Sequence, residues 1–171
     1  MPATHAHSPS HSTSKEHGRA GMAGRSYARL AAMTALSFVA MYILMYAMVN
    51  SVENVYNSLN EVYMAALMAA PMVAIGIAVM GHMYPNRRLN AALVIVSLLA
   101  LAIFWALIRT QGAVRDEQFL RSMIPHHAGA ILMCRNAPVA DAEIKNLCQE
   151  IISSQQREID QMKDILSRLE R

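Results

Sequence analysis

Three long apolar runs, each closed by polar segments, dominate the first two thirds of the chain. They cover residues 30–49, 62–80 and 91–108, and none contains a charged side chain. Each approaches the ~20 apolar residues that a helix needs to cross the hydrocarbon core of a bilayer. The first is too long for a cleavable signal, and no small-residue cleavage site follows it. After Ile108 the pattern changes. Gly112 breaks the helix, and apolar residues then recur every three or four positions over 117–135 and 142–169. In the last stretch Ile144, Leu147, Cys148, Ile151, Ile152, Ile159, Met162, Leu166 and Leu169 form one helical stripe. Asp116 and Asp141 stand where a helix N-cap is needed, separated by the loop "NAPVAD". The pattern predicts an all-α chain: a membrane domain of three transmembrane helices over 25–110, then an αα-hairpin over 113–171. Residues 1–24 hold His5, His7, His11 and His17 without apolar periodicity and read as a disordered tail. Those histidines are either metal ligands or incidental members of a polar leader.

Composition sharpens this picture. Apolar residues make up 54% of the chain and charged ones 16%, which excludes a disordered chain and fits a membrane protein. The formal charge of +3 is too small and too scattered for a nucleic-acid partner, and no glycine-rich phosphate loop occurs. Lys15, Arg19, Arg25 and Arg29 precede the first span, Glu53 and Glu61 lie after it, and Arg87 and Arg88 follow the second. Basic loops stay in the cytoplasm, so the N-terminus is expected inside and the hairpin outside an inner or plasma membrane, in the periplasm if the cell is Gram-negative. Arg109 and Arg115 weigh against this orientation. A two-helix hairpin buries little apolar surface on its own. Two copies would form a four-helix bundle, so a homodimer is expected, with packing on the membrane domain as the alternative.

Candidate chemistry concentrates in "SMIPHHAGAILMC", residues 122–134. Met123 shares a helix face with His126 or His127, and Met133 or Cys134 continues it. Pro125 removes one backbone hydrogen bond and presses on the carbonyl of Arg121, a cost of about 3 kcal/mol inside a helix. The second helix offers Cys148, Gln155, Glu158 and Met162, with Gln155 placed to partner an imidazole and Glu158 to fix its tautomer. Imidazole and thioether together select a soft ion such as Cu(I) or Ag(I). The competing reading is a bent core helix with satisfied histidines and methionine as pliable filler. Cys134 and Cys148 flank the hairpin loop, where an external location permits a disulfide, and thiolate ligation is the rival. Methionine numbers 14, and Met41, Met45 and Met48 share a face of the first span as Met64, Met68 and Met72 do in the second. They line a path for a soft ion or, as methionine does in most membrane helices, simply pack.

"DEQFLRSMIPHHAGAILMC" followed by "EIISSQQREIDQM" resembles the domain-of-unknown-function family 305. The shared signature falls on Met123, Ile124, Pro125, His126 and His127, then Gln155, Glu158, Ile159 and Met162, and the likeness covers about 115–169. The resemblance implies a ferritin-like helical bundle and a role in copper binding or resistance. Many members look like soluble secreted proteins, some with two hairpins in tandem, whereas this chain has one hairpin on a three-span anchor. It does not imply a di-iron enzyme, because the chain has no Glu-x-x-His pair. Three functions are therefore weighed. The first is a membrane-anchored Cu(I)-binding protein that stores, senses or hands over the ion through His126, His127, Met123, Met133 and Met162. The second is a structural or oligomerisation module without metal. The third, an enzyme, lacks a nameable base and open metal position.

Overall fold

The structure is a computed structural model that describes the backbone of residues 12–171 and the side chains of residues 24–171. Among the described residues every regular element is helical: α1 (Ser12–Met45), α2 (Leu59–Val79), α3 (Arg87–Thr110), α4 (Asp116–Asn136) and α5 (Ala142–Leu169), with short 3-10 turns in the first two connections. The expected tail over 1–24 lies outside the described residues up to position 11, and from Ser12 the backbone already belongs to α1.

Three segments, Gly24–Met48, Leu59–Val79 and Arg87–Thr110, are long and apolar enough to cross a membrane, which marks the chain as a membrane protein. α2 packs between α1 and α3. Gly76 is what lets α1 approach, since a Cβ there would stand 2.9 Å from Cδ1 of Leu30. Leu30, Ile77 and Tyr84 are buried at one end of this layer. The Tyr27 hydroxyl donates to Asn90 Oδ1 at 2.7 Å, and Asn90 Nδ2 donates to the Tyr84 carbonyl at 2.9 Å. Pro71 sits inside α2, and the buried Ser97 donates to the neighbouring Ala70 carbonyl at 2.6 Å. Polar groups within an apolar layer need such internal partners, because lipid offers none.

The helix ends follow the capping chemistry with one departure. Ser58, Asn86 and Asp141 each accept a hydrogen bond from the backbone three residues on. Asp116, expected as a cap, is instead the first residue of α4, behind Arg115. With Glu117 it places negative charge in the first turn, where the helix dipole favours it. Between α3 and α4 the chain turns through Gln111 and Ala113, both with left-handed φ of 51° and 60°. Gly112 separates them, and a Cβ there would lie 2.6 Å from Leu107 Cδ2.

α4 and α5 form an antiparallel hairpin. Leu120, Ile124, Ala128 and Ile131 of α4 meet Ile159, Met162 and Leu166 of α5 in a buried seam. Val49 and Tyr56, from the connection between α1 and α2, pack against the same seam. The hairpin is thus seated on the membrane layer. Gln118 Oε1 accepts from Leu59 N at 3.0 Å, and the Tyr63 hydroxyl donates to the Gly112 carbonyl at 2.9 Å.

Candidate metal centre

α4 is buried on two sides, and its adjacent histidines divide between them. His127 points into the hairpin and is 8% exposed. Its Nδ1 lies 2.8 Å from the Met123 carbonyl, an obligate acceptor, so Nδ1 carries a hydrogen and donates it. Its Nε2 lies 2.7 Å from Oε2 of Glu158, and a proton occupies that line as well. Both ring nitrogens are therefore occupied: Nδ1 fixes the ring to the preceding turn of α4, and Nε2 ties α4 to α5. Glu158 itself keeps half its side-chain surface in water, at 52% exposure.

His126, one residue away and so rotated by about 100°, leaves the hairpin seam. It is exposed, and among the described residues its ring has no hydrogen-bond partner. It lines a cavity of about 670 Å³ between α4 and the adjoining ends of the apolar helices. Met123 and Met133 stand on the same wall of α4, one turn before and two turns after His126. Met45, Met48 and Met64 face them from the end of α1, the turn after it and the start of α2. α4 passes close to the turn after α1 here: a Cβ added at Gly129 would be in van der Waals contact with the Met48 carbonyl at 3.4 Å, which leaves no room for a larger side chain. Pro125 and Ala130 complete the α4 wall.

The remaining candidates fall elsewhere. Met162 is buried in the hairpin seam with the isoleucines and does not line the cavity. Gln155 is half-buried on α5 and, among the described residues, makes no side-chain hydrogen bond; the imidazole of α4 goes to Glu158 instead. Cys134 and Cys148 are not bridged, and the neighbouring Cys148 thiol raises that of Cys134 above the ordinary range. Of the proposed membrane path, Met45, Met48 and Met64 reach the cavity, whereas Met41, Met68 and Met72 do not. The pattern of residues gave no sign that Glu61 would join Met123 and His126; it stands one turn ahead of Met64, a charge at the mouth of a span.

The donor chemistry suits a soft ion. Among the described residues no three His, Cys, Asp or Glu side chains gather at one point. The nitrogen and oxygen cage of zinc or a di-iron pair is thus not assembled there. Thioethers around one free imidazole match the preference of a monovalent d10 ion. The cavity far exceeds the ~30 Å³ that one water occupies. Sulfur donors must therefore swing inward to share an ion, and the three rotatable bonds of methionine allow it.

The family model described as Domain of unknown function (DUF305) matches residues 102–166, a range that holds both the Met123–His127 motif and the Gln155–Met162 motif. The Uncharacterized protein L153 of Acanthamoeba polyphaga mimivirus is 37% identical over 138 residues, which covers 78% of this chain and 88% of that protein. That alignment is longer than the matched domain, so it extends into the apolar helices. No solved structure matches. By its domain match and by this relative, the chain belongs to the DUF305 family.

Proposed function

We propose that this is a membrane-anchored protein that binds a soft monovalent metal ion, Cu(I) foremost, and stores, senses or passes it on. The observation that carries the reading is the shared cavity, where His126, Met123 and Met133 of α4 face Met45, Met48 and Met64. His126 would supply the nitrogen donor and the methionines the sulfurs. His127, Glu158 and Met162 would hold the hairpin that presents them. The copper association implied by the family resemblance agrees with this donor set. The basic residues before α1 and between α2 and α3 favour a cytoplasmic N-terminus. The cavity would then open on the extracytoplasmic side, where a thioether resists the oxidation that a thiolate suffers.

The test is a Cu(I) titration of the full chain in detergent against a chromophoric competitor. His126→Ala, and Met45→Leu with Met64→Leu, are expected to weaken binding by roughly tenfold or more, as losing a donor does. His127→Ala is expected to bind nearly as the parent does. Equal affinity in the parent and His126→Ala would remove the assignment.

A second reading has one observation in its favour: His127 is engaged on both nitrogens, Nδ1 with the carbonyl one turn back on α4 and Nε2 with Glu158 across the hairpin. On that reading the hairpin is an assembly module. Ile144 and Leu147 of α5 and Phe119 of α4 remain exposed and would cover one another in a homodimer. Pairing two hairpins would complete a four-helix, ferritin-like bundle.

A further inference from the structure

The cavity between α4 and the apolar helices carries one formal charge. Among the described residues its wall holds no lysine or arginine, and Glu61 is its only carboxylate. Among the described residues Glu61 has no ion-pair partner. Its contacts are with neutral groups: the Tyr46 hydroxyl donates a short hydrogen bond to Oε2, and Ser58 caps the same turn of α2. Tyr46 is held in place by the Tyr42 hydroxyl at 3.2 Å. A second acceptor, unpartnered, belongs to the preceding residue of α2. Asn60 spends its Nδ2 on Gln111 Oε1 at 2.9 Å and Ser122 Oγ at 3.3 Å, which leaves its buried Oδ1 without a partner. Asn60, too, lines the cavity.

An unpaired negative charge beside an apolar cavity has few ways to be balanced. Its field is poorly screened where water is scarce. A neutral ligand leaves it unbalanced, an anionic complex is repelled, and a cation settles it. We infer that Glu61 is the fixed counter-charge of this cavity, so that the site takes a soft monovalent cation bare, without an accompanying anion. This rests on the soft-ion reading above and adds the charge selectivity that thioethers cannot supply, since they are neutral. One negative charge matches one positive charge.

Ag(I), which resists oxidation, is the probe, titrated into the full chain in detergent. Glu61→Gln keeps an acceptor for Tyr46 and a residue that serves equally in the cap, and it removes only the charge. It is expected to weaken Ag(I) binding by roughly tenfold or more, as loss of a nearby charge at low dielectric does. Glu61→Asp, which retains the charge, is expected to stay close to the parent. Asn60→Asp leaves the cap untouched, adds a second charge to the wall and is expected to tighten binding several-fold. Thermal melting without metal shows that each variant is folded. Parent-like affinity in Glu61→Gln overturns the inference, as does an equal loss in Glu61→Asp, which would mean hydrogen-bond geometry rather than charge. Unchanged or weaker binding by Asn60→Asp also overturns it, and this arm stands even where Glu61→Gln does not fold. Failure of the parent to bind Ag(I) is a different pattern and removes the soft-ion reading together with the inference.

Discussion

His126 and His127 are neighbours in the chain with opposite duties. A helix turns by about 100° per residue, so adjacent side chains address different surroundings. His127 meets the Met123 carbonyl and Glu158 inside the hairpin, whereas His126 faces the cavity with its ring unpartnered among the described residues. Replacing His127 by alanine is expected to cost about 1–2 kcal/mol of hairpin stability, the worth of a hydrogen bond to a charged group when that charge can still reach water. Thermal melting checks this, and an unchanged midpoint would mean that the His127–Glu158 contact is idle. The pair stood out in "PHH" at this scale, and the contact with Glu158 agrees with the expectation that this carboxylate holds a tautomer. Which histidine would meet Glu158 was not, because a helical wheel fixes relative angles and leaves the rotation of the whole helix open.

At the scale of elements, α4 carries two faces. Leu120, Ile124, Ala128 and Ile131 meet α5, while Met123, His126, Gly129 and Met133 meet the ends of the apolar helices. At Gly129 the second contact leaves room for little more than a Cβ. Gly129→Leu is expected to force α4 off the Met48 carbonyl, open the cavity and weaken Cu(I) binding, with the α4–α5 seam intact; circular dichroism and the titration together separate these effects. Unaltered binding would mean that the seat of α4 on α1 does not shape the site. Helix limits were readable to within a few residues from apolar runs and capping residues. α2 starts at Leu59 rather than near 62 because Ser58 caps it ahead of the apolar run. The N-terminal helix was not readable, since a polar stretch without periodicity gives no signal of an element that continues from a span.

For the whole molecule, the apolar surface that the hairpin leaves open invites a second copy. Ile144, Leu147 and Phe119 are exposed, while the seam beside them is closed by Val49 and Tyr56 of the same chain. Sedimentation in detergent is expected to show a homodimer that survives a Cu(I) chelator if the α5 face drives association. Dissociation by chelator would tie assembly to the ion, and a monomer under all conditions would dismiss the dimer. The need for a partner was read from the small core of a two-helix unit. The membrane layer turns out to supply part of that cover within one chain.

The sequence by itself determined the elements: apolar runs of membrane-spanning length, two amphipathic helices, their caps and the soft-donor motif. These are local properties, set by side-chain hydrophobicity and backbone periodicity, and they need no knowledge of what lies opposite. Only the tertiary structure decided that the donors of α4 face Met45, Met48 and Met64 while Met162 lies in the hairpin seam, and that Glu61 stands on the same wall. Residues far apart in the chain meet only after α4 has been laid across the ends of α1 and α2, and that placement depends on Gly129, the turn at Gln111–Ala113 and the covering Tyr56 acting together.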